Sequence, residues 1–201
     1  ENSGEANAVL VGNLNASGKN GKSRYYEQSL KDTVKVNGKT MSVYDAVCQI
    51  VAYEAGKGQP EEHVKAQAAA SYTYLMNGGG NISAGLSTAK LDSRTERLVA
   101  EVIGYAVLDD RSKDFILAVY FSESCGETAN AEWVWGYPNR NLLSVSSPVD
   151  GKTAKTYKIS SSDFKSKVES KTNIRLSGDP EDWIDIYSYW GSSDYVNEVK
   201  L

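Results

Sequence analysis

The apolar positions of the chain change period several times, and each change marks an element. Val43, Ala46, Val47, Ile50 and Val51 recur at three and four residues, the spacing of one helix face. Ser42 with Asp45 three residues on is a capping-box-like start to this helix, and Gly56 stops it. Pro60, Glu61 and Glu62 open a second helix, because proline fits a first turn and the acids complement the dipole. Ala66 to Ala70 add helix propensity, and Asn77 with three following glycines ends the run. A third helix is predicted over 95–102, closed by Gly104. Period-two segments at 33–36 and 39–43 flank Asn37–Gly38, the signature of a type I′ hairpin turn.

A second hairpin is predicted from 105–108 and 115–122. Phe115, Leu117, Val119 and Phe121 take its core face; Ile116, Ala118, Tyr120, Ser122 and Ser124 take the other. Further strands are expected at 8–15, 142–145, 183–188 and 195–201, and a helix at 162–170. No repeat or linker interrupts the pattern. The expected fold class is α+β, one globular domain with antiparallel strands and hairpins and a central helix pair forming a groove. Residues 1–32 form its N-terminal tail with the first strand and loop, and 33–201 its main body.

Composition narrows the function classes. Four Trp, thirteen Tyr and three Phe within 40% hydrophobic content mark a folded, aromatic-rich protein. Tyrosine pairs an apolar body with a hydroxyl, which suits grooves for hydroxylated ligands such as glycans and equally suits wet protein interfaces. A formal net charge of −4 without a lysine-rich stripe argues against nucleic acid as a partner. No apolar stretch approaches the length of a membrane span. The chain begins at Glu1 without a signal peptide and reads as a mature or trimmed form of an exported protein. Cys48 and Cys125 make no disulfide framework; they either pair or are two buried thiols.

Glu54 is the sharpest candidate for chemistry, since it ends one helix where a second follows. The bland alternative is a solvated acid at a helix C-terminus. An acid near the negative end of a helix, combined with partial burial, would have its pKa raised, as a general acid requires. Lys65 and Tyr72 lie two turns apart and share a face of the second helix, which also carries Gln67. The competing role for Lys65 is an ion pair with Glu61. His63, the single histidine, would have to serve any peptidase using Ser124 or Cys125, yet it sits in a first turn beside two acids. A zinc site from His63, Cys48 and Cys125 has no motif spacing behind it. Ser122, Ser124 and Thr128 make a hydroxyl-dense lip past a strand end. Glu132 beside Trp133 and Trp135 has the composition of a glycan groove, against a reading of two core indoles and a surface acid.

Taken in order, these segments resemble the SpoIID/LytB family, the stage II sporulation protein D type of bacterial cell-wall protein. The resemblance rests on Ile50 to Glu54, on Glu62 to Tyr74 (EHVKAQAAASYTY), on Ala118–Val119–Tyr120, on Ser122 to Thr128, on Ala131 to Trp135 and on Leu143 to Asp150. It implies a SpoIID-like catalytic domain over 33–201 and a lytic transglycosylase acting on peptidoglycan. Glu54 falls on the family's catalytic acid and Lys65 on its helix lysine. Tyr120, Ser122, Ser124 and Thr128 fall on its strand tyrosine and Ser/Thr turn. Gln67, Tyr72 and Glu132 are expected to bind substrate, and no metal or organic cofactor is implied. Three departures stand out: Tyr72 replaces the family's helix arginine, Ser124–Cys125–Gly126 replaces a Ser-Gly-Gly turn, and the stretch from Asn81 to Arg94 matches the family's connecting loop poorly. The expected partners are peptidoglycan glycan strands and other wall hydrolases such as an amidase, and the expected location is the bacterial cell envelope, outside the cytoplasm. A non-catalytic wall module that binds glycan or enhances an amidase is the alternative that the family name also suggests.

Overall fold

A computed structural model describes residues 8–11, 32–79, 81–120, 124, 126–147, 156–191 and 193–201. The fold class is α+β, with small sheets and five α-helices among the described residues. The chain forms two compact units, Glu1–Tyr120 and Phe121–Leu201.

In the first unit, β1 (Ala8–Val11) pairs antiparallel with β5 (Ala106–Asp109), Ala8 opposite Asp109. β2 (Thr33–Val36) and β3 (Lys39–Ser42) form the expected hairpin, and β4 (Asn81–Ile82) joins β2 in parallel. The turn needs positive φ at both central positions, and Asn37 and Gly38 supply 50° and 79°. β2 alternates strictly, with Val34 and Val36 buried and Thr33 and Lys35 exposed. Three helices share one core with the strands: α1 (Val43–Glu54), which packs on β2 and β3, α2 (Glu61–Asn77) and α3 (Ser93–Val102). Ser42 caps α1 by accepting from the Asp45 N–H at 3.0 Å. Asp92 caps α3, accepting from both the N–H and the hydroxyl of Thr95.

The core joins Val34 and Val36 to Val47, Ile50 and Val51 of α1, Val64, Ala68 and Leu75 of α2, and Leu98 and Val99 of α3. α2 lies between α1, α3 and β5. Its run of small residues follows from that position, since buried Ala68, Ala69, Ser71 and Thr73 let neighbours approach on several sides. Buried Thr73 ties α2 to β5: its hydroxyl donates to the Ala69 carbonyl at 2.7 Å and accepts from the Val107 N–H at 3.0 Å.

That bond changes the predicted second hairpin. The segment after the 109–114 turn bridges β5 at Leu108–Phe115, and the Ile116 N–H reaches the Val107 carbonyl. The reciprocal donor, the Val107 N–H, is already committed to Thr73, so no ladder continues and 116–120 runs without regular strand structure. The predicted faces also change places toward the end: Ala118 is buried, whereas Val119 is exposed. Phe121 and Ser122 lie outside the described residues.

The second unit contains α4 (Ala131–Trp135), α5 (Ser161–Lys171), a 3-10 turn at Pro180–Asp182, and the antiparallel pair β6 (Asp185–Tyr189) and β7 (Val196–Lys200). Aromatic stacks do much of its packing. Trp183 lies on Phe164 with ring centroids 6.3 Å apart and donates its indole N–H to the Ser177 carbonyl. Trp133 stacks on Trp190 and meets Tyr195, whose hydroxyl donates to the Glu127 carbonyl. The strand expected at 142–145 is present as an irregular pairing. The Thr128 N–H bonds to Val145, and Glu127 bridges Ser146.

Candidate functional site

Glu54 is the last residue of α1, followed by Ala55 as cap and by Gly56, whose φ of 68° turns the chain away. Its side chain is exposed rather than partly buried. Among the described residues it makes no ion pair. Its charge is felt by Tyr120, a half-buried tyrosine packed against the core. Burial, foremost, and then the Glu54 carboxylate push the Tyr120 phenol above its ordinary value, while a hydrogen bond from Ser71 pulls it back. Tyr120 is therefore a neutral hydroxyl across the neutral range, within electrostatic reach of the Glu54 carboxylate and able to donate.

The groups that complete this corner come from one flank of α2. Ser71 is fully buried and accepts from the Gln67 side-chain amide at 3.4 Å. Tyr74 lies one turn further along, also within electrostatic reach of Tyr120, and donates its hydroxyl to the Ser83 carbonyl at 3.3 Å. Gln67, Ser71 and Tyr74 are spaced at four and three residues and so share a stripe of the helix. Glu54, Gln67, Ser71, Tyr74 and Tyr120 thus gather within the first unit.

Lys65 and Tyr72 do share a face of α2, but their partners are elsewhere. The Lys65 ammonium lies 2.9 Å from Glu101 of α3 and 3.3 Å from Glu62, and the Glu101 bond, foremost, raises its pKa while lowering that of Glu101. Glu61, the partner weighed for Lys65 from sequence, pairs with Arg97 at 2.8 Å instead. Tyr72 is buried, edge-on to Phe115 with centroids 6.4 Å apart. Six residues separate Lys65 from Ser71, about 120° around the helix, which directs the lysine toward α3.

Ser124, Thr128 and Glu132 belong to the second unit. Ser124 is buried. The Thr128 hydroxyl accepts from the Val145 N–H at 2.9 Å, which commits it to the irregular pairing. Glu132 is exposed in the first turn of α4, and its N–H is capped by Asn130. Ser122 and Cys125 lie outside the described residues. Cys48 is a buried free thiol, pushed up to about 12 chiefly by burial. His63 is exposed, and no cluster of three His, Cys, Asp or Glu suited to a metal ion occurs among the described residues.

Neither a scan of protein-family models nor a search of curated proteins returns a match to this chain. No helix among the described residues is long and apolar enough to cross a membrane. The site's own chemistry is one exposed carboxyl, a neutral phenol that feels its charge, and the buried Ser71 hydroxyl with the half-buried Gln67 amide bonded to it. Ser71 and Tyr74 were not among the residues expected from sequence. Their spacing from Gln67 is the signal that places them with it.

Proposed function

We propose that the chain is a lytic transglycosylase acting on peptidoglycan, with Glu54 as its single general acid and base. The observation that supports this reading is the company of Glu54: an exposed carboxyl at the end of α1, within electrostatic reach of the half-buried Tyr120 phenol, which Ser71 also meets. Hydrolytic glycosidases ordinarily use two carboxylates. A transglycosylase manages with one, because the sugar supplies its own nucleophile. The Glu54 carboxyl gives its proton to the oxygen linking N-acetylmuramic acid to N-acetylglucosamine, and the bond from C1 to that oxygen breaks. The C6 hydroxyl then attacks C1, Glu54 takes its proton, and the 1,6-anhydro ring closes with the acid restored. Tyr120 donates toward the charge that develops on the leaving oxygen. The SpoIID-like fold, a supporting role of Gln67 and an extracytoplasmic location in a bacterial envelope belong to the same reading.

A second reading, a glycan-binding or amidase-enhancing wall protein without catalysis, is favoured by the commitments of Lys65 and Tyr72. Lys65 is occupied by Glu101 and Glu62, and Tyr72 by the core, so this face of α2 gives Glu54 no cation. Mass spectrometry of purified peptidoglycan, stripped of stem peptides and incubated with the protein, decides between them. New 1,6-anhydromuramyl ends, absent with Glu54→Ala, support the enzyme. Retention on the glycan without new ends supports the binding module. Cutting that survives Glu54→Ala removes Glu54 from the mechanism.

A further inference from the structure

Tyr53, immediately before Glu54, is 60% exposed although it belongs to a well-packed helix. A single exposed tyrosine means little. What distinguishes this one is the floor beneath it. A Cβ built on Gly85 would land on the Cδ1, Cε1 and Cγ atoms of the Tyr53 ring. Gly85 does not have a positive φ, so its backbone is one that any residue adopts. The glycine is required there by the ring and not by the turn.

The floor is also tied down on three sides. The Asn37 carboxamide bonds both the N–H and the C=O of Ala84, the Ser87 N–H reaches the Gln49 carbonyl, and the Tyr74 hydroxyl holds Ser83. One face of Tyr53 is thus closed by an anchored loop, and its exposure leaves surface open to a ligand. A preset aromatic surface loses little freedom when a ligand stacks on it. Flat rings of this kind suit the C–H face of a pyranose. The neighbouring Glu54 carboxylate disfavours a nucleotide, whose phosphates it would repel.

We propose that Tyr53, seated on Gly85, is a sugar-stacking platform that takes one N-acetylhexosamine ring of the glycan strand presented to Glu54. This rests on the reading of Glu54 as acting on glycan, and it adds a specificity-determining residue to that site. The test uses soluble glycan strands released from amidase-treated peptidoglycan, titrated into the full chain carrying Glu54→Gln so that nothing is consumed. Adding Tyr53→Ala is expected to weaken binding about three- to tenfold. Tyr53→Phe retains the affinity, and Gly85→Ala weakens it by displacing the ring. If Gly85→Ala fails to fold, as thermal unfolding would show, the Tyr53→Ala and Tyr53→Phe pair still decides. Undiminished binding by Tyr53→Ala overturns the platform and leaves the Glu54 reading intact. Strands that the Glu54→Gln parent does not bind at all overturn both.

Discussion

Thr73 carries more of the first unit than its size suggests, and its contribution can be separated into parts. Its hydroxyl is the sole link described between α2 and the Val107 N–H, and its methyl fills a fully buried position. Thr73→Ser keeps the hydroxyl and removes one methyl, at a cost of about 1 kcal/mol. Thr73→Ala also strands the Val107 N–H. Because Val107 is only half-buried, the added cost is about 1–2 kcal/mol, the lower part of the range for an unsatisfied donor. Thr73→Val keeps the volume and isolates the same 1–2 kcal/mol. For a unit of 120 residues this corresponds to roughly 3–5 °C of melting temperature per kcal/mol. Thermal unfolding should therefore rank wild type above Ser, and Ser above Ala. Hydrogen exchange at Val107 should accelerate in Val and Ala but not in Ser. An alanine variant as stable as the serine one, or unchanged exchange at Val107, would refute the bridge. The consequence reaches the site, because the segment carrying Tyr120 is attached to β5 through the Val107 carbonyl.

Two further outcomes follow from burial. Tyr72→Arg, which the family pattern would suggest as a restoration, is expected to destabilise by several kcal/mol and to add no cutting, since a guanidinium would be placed in the core against Phe115. A thermal melt and a digest of stripped peptidoglycan check this, and a stable variant with new activity would contradict it. The Cys48 thiol should resist an aromatic disulfide reagent at pH 8 until the protein unfolds. Its folded pKa is raised from 9.0 to about 12, so the associated stability is complete below pH 9 and is lost as pH rises toward 12, roughly 4 kcal/mol in all. Comparing alkaline unfolding of wild type with Cys48→Ala isolates that share, and identical profiles would count against the burial argument.

The elements that can be read from sequence are those whose cause is local. Ser42 and Asp45 define a helix start within three residues, Asn37–Gly38 a turn within two, and Pro60 the opening of α2. The alternation at 115–120 shows that two faces exist, but whether a strand forms there depends on the remote bond from the Val107 N–H to the Thr73 hydroxyl. Likewise the spacing of Lys65 and Tyr72 gives a shared face, while its direction is decided by Glu101 and Phe115, far along the chain. Ser71 is hidden for a different reason. A serine after an alanine run reads as a small filler, and its bonds to Gln67 on the same helix and to the remote Tyr120 appear only in the fold. Tyr53 is obscured similarly, since nothing near position 53 announces that Gly85 will lie under its ring.

The Asn37–Gly38 turn has a chemical side as well as a conformational one. Asn-Gly is the dipeptide most exposed to ageing, because the glycine nitrogen can attack the asparagine side chain and expel ammonia, and water then opens the cyclic imide to aspartate or isoaspartate. Here the Asn37 carboxamide is engaged at both ends, Nδ2 donating to the Ala84 carbonyl at 2.6 Å and Oδ1 accepting from the Ala84 N–H at 3.2 Å. The fold that uses this side chain therefore also shelters it. Once converted to aspartate, the residue would turn a carboxylate oxygen toward the Ala84 carbonyl, and the tie at Ala84 would keep only the bond from its N–H. The age of a sample, read as one dalton gained at Asn37, thus becomes a variable in how firmly that ring is seated.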